Sequence, residues 1–411
     1  MPHWRSTFAQ QGNPSYHGFI WSGVMSAIVG SLFAPFTVKF LERIGGTEFH
    51  ISLLNSLPGL VGVAVSLPGA MWLAGNRGKS LKCKTAEFTL ASRLMVLLLL
   101  PLVWLSPSWA PLCCVFLLAL KNIPESISQT AFQGLTGDLF SPDDRSTAIS
   151  QRNRYSVPAT MAVSLLSGFI LRELPRTNAQ RLTIYQVFFI LAAVFGIMEV
   201  LFLYRMRDGE QLQSERLPSW RLIMREVSGN KRYWRYAGAS LVFYFSWQMG
   251  WPLFSIFQVI NLGADELWLS VIGVLSSIGM FIGFRFWNNV IRRQGNGRAA
   301  VYATLGMSLN PLLMILYPNL FWLSGINVLI GFFTAGTMTV LLNALLEVTP
   351  AEFRVVYVGT YNTLVNISLA ISPILSFAVL KIAGIYPAMF VVCACRLVGS
   401  LSFWIYCRKT A

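Results

Sequence analysis

Twelve apolar runs, each long enough to cross a bilayer, occupy most of this 411-residue chain and leave it few ways to fold. They lie near 18–40, 51–74, 88–106, 112–134, 155–171 and 183–204, and resume after a polar gap near 236–260, 267–290, 299–317, 321–346, 355–380 and 384–406. In hydrocarbon every backbone N–H and C=O has to find its partner within the chain, so only helices or a closed barrel can span. No stretch alternates polar and apolar residues over a useful length, and helices are predicted throughout. Charged residues make up 12% of the chain, against about 25% in water-soluble domains. That composition excludes soluble multidomain enzymes, nucleic-acid binders and disordered scaffolds.

The net charge of +15 has a topological reading. With the N-terminus placed in the cytoplasm, one set of inter-run segments holds Arg77, Lys79, Lys82, Lys84, Arg145, Arg152, Arg154, Arg292, Arg293, Arg298, Arg408 and Lys409. The same set contains the central gap with Arg205, Arg207, Arg216, Arg221, Arg225, Lys231, Arg232 and Arg235, while the opposite set holds Lys39, Arg43, Arg172, Arg176, Arg181 and Lys381. Basic loops fix the orientation of a membrane protein, so both termini are predicted to be cytoplasmic. The expected organisation is an N-terminal six-helix bundle (1–204), a cytoplasmic loop (205–235) and a C-terminal six-helix bundle (236–411). Within the loop, LPSWRLIMREV (217–227) is predicted to form a short amphipathic helix at the membrane surface. The cysteines Cys83, Cys113, Cys114, Cys393, Cys395 and Cys407 have neither CxxC nor zinc spacing and imply no disulfide framework. Residues 1–17 are polar and lack the apolar core of a signal peptide.

The two halves echo each other. GGTEFHISLLNSL (45–57) aligns with GADELWLSVIGVL (263–275), pairing Gly45 with Gly263, Glu48 with Glu266, Ser52 with Ser270 and Leu57 with Leu275. SPDDRSTAISQRN (141–153) aligns with TPAEFRVVYVGTYN (349–362), so that Arg145 and Asn153 match Arg354 and Asn362. A weaker echo joins GNRGK (75–79) to GNGR (295–298). Polar landmarks in the same order in both halves point to an internal duplication.

Twelve runs in two duplicated halves, a charged central loop and basic turns after runs two and eight resemble the major facilitator superfamily of secondary transporters. The turn GAMWLAGNRGKSLK (69–82) keeps Gly69, Gly75, Arg77, Gly78, Lys79 and Lys82 of that superfamily's signature, with Leu73 where the signature carries an acid. The fifth run, VPATMAVSLLSGFI (157–170), lacks the glycine-proline signature of many drug antiporters. The resemblance implies an all-α polytopic fold of two pseudo-repeated six-helix bundles, with runs one, four, seven and ten around a central cavity.

Ionisable residues inside apolar runs mark candidate sites, because a charge at bilayer depth costs about 2.5–3.5 kcal/mol on insertion scales. Lys121 and Glu125 lie one turn apart in the fourth run and share a helical face with Ser128, Gln129 and Gln133. Two readings stay open: the pair binds a charged or zwitterionic solute, with Glu125 able to carry a coupled proton, or it is an internal salt bridge that only neutralises itself. The implied cavity brings further candidates. They are Gln248, Trp247 and Trp251 in the seventh run, Asn327, Thr334, Thr337 and Asn343 in the tenth, and Trp21, Ser22 and Ser26 in the first. Their alternative roles are interfacial anchoring and helix packing. Glu199 and Arg396, in runs six and twelve, are expected to pair internally, Arg396 with an acid, a carbonyl or water. Resemblance further implies that Arg145 and Arg354, with Asn153 and Asn362, form a cytoplasmic latch with carboxylates such as Asp138, Asp143, Glu347 or Glu352; the alternative is that the arginines are ordinary positive-inside anchors.

The chain has no phosphate-binding glycine loop, no nucleophile motif and no metal-ligand cluster around His3, His17 or His50. ATP-driven transport, an enzymatic role, a cofactor and a nucleic-acid partner are therefore not expected. The expected function is secondary active transport of a small amphipathic or charged organic solute by alternating access, coupled to protons, by a monomer in a bacterial cell membrane. A receptor or scaffold that kept the fold and lost transport is the alternative.

Overall fold

The computed structural model describes residues 14–75, 80–140, 142–206, 220–350 and 354–410. The first half contains α1 (Pro14–Phe33), a 3₁₀ turn (Ala34–Phe36), α2 (Thr37–Arg43), α3 (Glu48–Gly75), α4 (Leu81–Met95) prolonged by a 3₁₀ stretch (Val96–Trp104), α5 (Ala110–Leu139), α6 (Pro142–Glu173) and α7 (Asn178–Tyr204). The second contains α8 (Trp220–Gly229), α9 (Lys231–Ile256) with a π-helical turn (Phe257–Asn261), α10 (Glu266–Ser308), α11 (Asn310–Leu316), α12 (Leu320–Val348), α13 (Arg354–Ala383) and α14 (Ile385–Thr410). Ten helical stretches among the described residues are long and apolar enough to cross a membrane. The 26-residue α9 is long enough but more polar, since Ser240, Tyr244, Ser246, Trp247, Gln248 and Trp251 interrupt its apolar residues. In α10 the backbone breaks at Gly295 (φ 80°, ψ 163°), where the eighth apolar run gives way to the ninth.

Polar residues between the runs set the helix starts. Thr177 Oγ1 accepts from the Gln180 N–H (3.3 Å) while Gln180 Oε1 accepts from the Thr177 N–H (3.3 Å), a reciprocal cap on α7. Asn230 caps α9 through the Tyr233 N–H (3.0 Å), and Asp265 caps α10 through the Trp268 N–H (2.9 Å). The internal repeat has a backbone counterpart. Gly45 and Gly263 both take positive φ (96° and 63°), and helices begin at Glu48 and Glu266. Only glycine enters that region without strain, which is why both copies carry one. Lys82 Nζ donates to the Met206 carbonyl beyond α7 (3.2 Å), and Lys84 Nζ to the Leu73 carbonyl near the end of α3 (3.1 Å). These basic residues therefore also satisfy helix C-termini.

The chain forms two compact units, Met1–Gly46 with Ala64–Arg216, and Thr47–Val63 with Leu217–Ala411. In the first, Phe19 of α1, Leu135 of α5 and Val200 and Leu203 of α7 share an apolar core. In the second, Tyr236 and Phe243 of α9 pack with Trp287 and Ala303 of α10, Val340 of α12 and Phe403 of α14. There α10 and α12 meet backbone to backbone. A Cβ on Gly279 would stand 1.9 Å from the Val328 carbonyl oxygen, and one on Gly331 would stand 1.9 Å from that of Ser276.

Arg396 is fully buried in this second core. Its guanidinium donates to the carbonyls of Ser246 (3.5 Å), Trp247 (3.0 Å) and Met307 (3.1 Å), and lies 5.1 Å from the Phe254 ring centroid. Carbonyls, not an acid, are its partners. Pro311 has no N–H to offer the Met307 oxygen one turn earlier, and Arg396 supplies the donor. The amphipathic segment predicted at 217–227 is helical from Trp220 as α8, and Trp234 Nε1 (2.9 Å) and Tyr357 Oη (3.2 Å) donate to its Val227 and Glu226 carbonyls.

Candidate functional site

On α5, Lys121, Glu125, Ser128 and Gln129 recur at helical spacing and form one polar stripe. The Lys121 ammonium bonds Glu125 Oε2 and lies 5.7 Å from the centroid of the Phe33 ring. The pair does not stand alone. Arg93 of α4 reaches Glu125 Oε1 with Nη1 (3.5 Å), Glu199 Oε2 of α7 with Nε (2.9 Å), and Glu199 Oε1 with Nη2 (3.4 Å). Nη2 also donates to Ser26 Oγ of α1 (3.1 Å). Charges of alternating sign thus run Lys121, Glu125, Arg93, Glu199 across three helices. Removing each ion from water costs several kcal/mol, and reciprocal hydrogen-bonded partners offset that cost.

A cavity of about 250 Å³ opens beside this chain of charges. Glu125 is its best-exposed member, its side chain 27% accessible against 11% for Lys121 and Arg93 and 8% for Glu199. Glu125, Arg93 and Glu199 line the cavity, whereas Lys121 stands behind Glu125. Hydroxyls from α1 (Ser22, Ser26) and α4 (Thr85, Thr89, Ser92) and amides from α5 (Gln129, Gln133) complete a polar wall, to which Phe132 and Leu203 add the apolar contribution. Thr89 and Ser128 share a hydrogen bond (2.5 Å), and Ser128 donates to the Thr85 carbonyl (3.3 Å), fixing α4 against α5. The buried hydroxyl of Ser92 has no hydrogen-bond partner among the described residues.

Arg152 of α6 closes the cavity wall in a different way. Its guanidinium carbon lies 4.4 Å from the Phe132 ring centroid and 5.0 Å from that of Phe19, two rings that stack on each other at 5.5 Å. Along its edge the side chain packs so tightly on α1 that a Cβ at Gly23 would stand 2.2 Å from Nε. Cation–π contact holds this guanidinium, and among the described residues it has neither an ion pair nor a hydrogen bond.

The structure brings Lys121, Glu125 and Gln129 together, with Ser22, Ser26, Ser128 and Gln133 around them. Trp21 is exposed and stacks on Phe202 (6.4 Å), outside the cavity wall. Gln248, Trp251 and Asn343 belong to the second unit. There Gln248 is buried, accepting from Ser368 Oγ (2.7 Å) and donating to the Val365 carbonyl (3.4 Å), and Trp251 packs edge-on against Trp247 (6.4 Å). Asn343 is half-buried on α12. Asn153 and Asn362 are exposed; the side chains of Arg145 and Arg354 lie outside the described residues, although both backbones are in the first turns of α6 and α13. Among the carboxylates suggested for them, Glu347 accepts from Asn296 Nδ2.

Arg93 and Arg152 are candidate functional residues outside those expected from the sequence. Arg93 lies inside the third apolar run and meets the criterion that marks Lys121 and Glu125. Arg152, next to Asn153 of the repeat, reads in the sequence as one more basic loop residue, and only the fold places it on two phenyl rings. Glu199 pairs internally as expected and also faces the cavity.

A bacterial homolog of the human lysosomal transporter Spinster, in an inward-facing, unoccupied conformation, superposes on this chain with a TM-score of 0.65, 13% identity and 96% coverage of each chain. A variant of the nucleoside transporter NupG superposes with a TM-score of 0.73 and 13% identity, covering 96% of this chain and all of that one. At such identity these likenesses establish the fold. No curated protein sequence matches. Residues 19–373 match the family model of the Major Facilitator Superfamily, and the chain is a member of that superfamily, a multi-pass membrane transport protein rather than an enzyme.

Proposed function

We propose that the chain is a proton-coupled secondary active transporter that carries a small organic solute by alternating access. The observation that carries this reading is the cavity of about 250 Å³ whose wall holds Arg93, Glu125, Arg152 and Glu199 inside an otherwise apolar unit. Charges at bilayer depth persist where they meet partners or water, and a lined hollow offers solute both. In this reading all twelve runs span, both termini are cytoplasmic, and the monomer works in a bacterial cell membrane. The duplicated halves rock about the bound solute, as transporter repeats do. The paired motifs Arg145/Asn153 and Arg354/Asn362 latch the cytoplasmic side.

Glu125 is the coupling group. Lys121 and Arg93 satisfy its two oxygens. Solute that draws Arg93 towards itself removes one of those partners, and a proton takes its place. Glu199, bonded twice to the same guanidinium, feels the same displacement.

Proteoliposomes loaded with the pH dye pyranine test this directly. Addition of a small carboxylate, phosphate ester or polyol that the protein carries should move protons in the wild type. Glu125→Gln should lose the proton signal and keep solute counterflow. Unchanged proton movement in Glu125→Gln would remove Glu125 from the coupling role. Counterflow without any proton signal in the wild type would make the transporter uncoupled.

A further inference from the structure

Among the described residues, Arg152 is the cavity cation with neither an ion pair nor a hydrogen bond, and only Glu199, beyond ion-pair distance, answers its charge. All four carboxylate oxygens of Glu125 and Glu199 are already taken. Lys121 and Arg93 Nη1 hold those of Glu125, and Arg93 Nε and Nη2 hold those of Glu199. Among the described residues three cations, Lys121, Arg93 and Arg152, therefore face two anions, leaving one positive charge in excess. A guanidinium in such a place usually finds a carboxylate, and its planar fork matches carboxylate or phosphate oxygens two at a time. Here the Phe19 and Phe132 rings orient it instead, and the close approach of Gly23 leaves room for its stem. Its donors thus stay free for a ligand in the hollow, and the buried, unpartnered hydroxyl of Ser92 belongs to the same wall.

From this geometry we infer that the transported solute is a small organic anion, and that Arg152 is the residue that pairs with its carboxylate or phosphate. This deepens the transport reading and rests on it for the word "transported"; the binding site itself does not. The hollow, about 250 Å³, lies below the ~300–1,000 Å³ typical of drug-sized ligands, which sets the size class. Serine, threonine and glutamine side chains dominate the rest of the wall, so the remainder of the solute is polar, carrying hydroxyl or carbonyl groups. Phe132 and Leu203 leave apolar surface on the wall as well, so the solute carries a short apolar part beside those groups.

Two arms test the inference on the purified full-length chain in detergent or nanodiscs. The first needs no ligand. Arg152→Met keeps the stem against Gly23 and removes the charge with its two ring contacts but no ion pair, so its melting midpoint without solute should fall far less than that of Arg93→Met. The second titrates sodium salts of lactate, succinate, gluconate, glycerol 3-phosphate and inorganic phosphate at constant ionic strength, with glycerol and choline as neutral and cationic controls. At least one anion should raise the wild-type midpoint, and the carboxylates and phosphates separate the two anion classes. In Arg152→Met the half-maximal concentration should rise about 10- to 100-fold, the size of the charge-assisted hydrogen bonds removed. Gly23→Ala, whose new methyl displaces the Arg152 stem, should weaken protection in the same direction while leaving Arg152 present.

A ligand-free midpoint for Arg152→Met as low as that of Arg93→Met, anion protection unchanged in Arg152→Met, or protection by choline or glycerol but by no anion, overturns the inference. Anion protection without uptake into proteoliposomes would keep the site and defeat the transport reading. Uptake of a neutral or cationic solute, unchanged in Arg152→Met, would do the reverse.

Discussion

Replacing Arg93 with methionine is expected to destabilise the first unit by about 3–5 kcal/mol, the range for removing one partner of a buried ion pair. Both Glu125 and Glu199 lose a cation at once, and Ser26 loses its donor. Glu199 suffers most, because its side chain is 8% accessible and Arg93 supplies both of its ionic contacts. Glu125 retains Lys121. The loss should be reversible by a second substitution. Arg93→Met combined with Glu199→Gln removes the orphaned charge together with its partner, and should recover most of the lost thermal stability. Glu199→Gln alone should cost less than Arg93→Met, since Arg93 keeps Glu125 and Ser26 as acceptors. A double-mutant cycle read by thermal unfolding measures the coupling, and additive effects would show that the bridge is not energetically linked.

The second large effect is expected where α10 meets α12. Gly331→Ala places a methyl group 1.9 Å from the Ser276 carbonyl oxygen, and Gly279→Ala repeats the clash against Val328. Both obstacles are backbone atoms, so no rotamer change relieves them and the helices have to separate. Overpacking of this kind costs about 1–3 kcal/mol, and a rigid backbone obstacle belongs at the upper end. Small residues at a membrane-helix crossing let backbones approach, and here they also bring Trp287 Nε1 within 2.9 Å of the Phe332 carbonyl. Gly273 and Gly325, on the same two helices, would each place a Cβ with nothing within 4 Å and make matched controls. Alanine at either should leave the unfolding midpoint unchanged or slightly raised, since alanine favours helix by about 1 kcal/mol over glycine.

Helices, their starts and the duplicated landmarks can be read from the residues, because hydropathy and capping act locally. The pairing of Gly45 with Gly263 is a clear case, as one backbone conformation demands the same residue twice. Lys121 with Glu125 is legible for the same reason, since one helical turn suffices to join them. Contacts made between elements are not. Nothing in the sequence joins Arg93 to Glu199 across 106 positions, or sets Arg152 on the rings of Phe19 and Phe132. Arg396 illustrates the limit in another form. Its burial follows from its position mid-run, but its carbonyl partners depend on how the middle of α9 and the end of α10 come to lie beside α14. Trp21, a cavity candidate from the first run, turns instead to Phe202.

If the hollow beside Glu125 is an aqueous, electropositive chamber, water-borne reagents reach its wall at rates that depend on their charge. Gln129 and Gln133 line it and are exposed, so each can carry a reporter cysteine in a chain whose six native cysteines are replaced by serine or alanine. Sealed vesicles are then treated with membrane-impermeant methanethiosulfonates of equal size and opposite charge. The anionic reagent should modify the cysteine at position 129 faster than the cationic one, and Arg152→Met should erase the preference. Equal rates for the two reagents, or no modification from either side of the membrane, would contradict the claim.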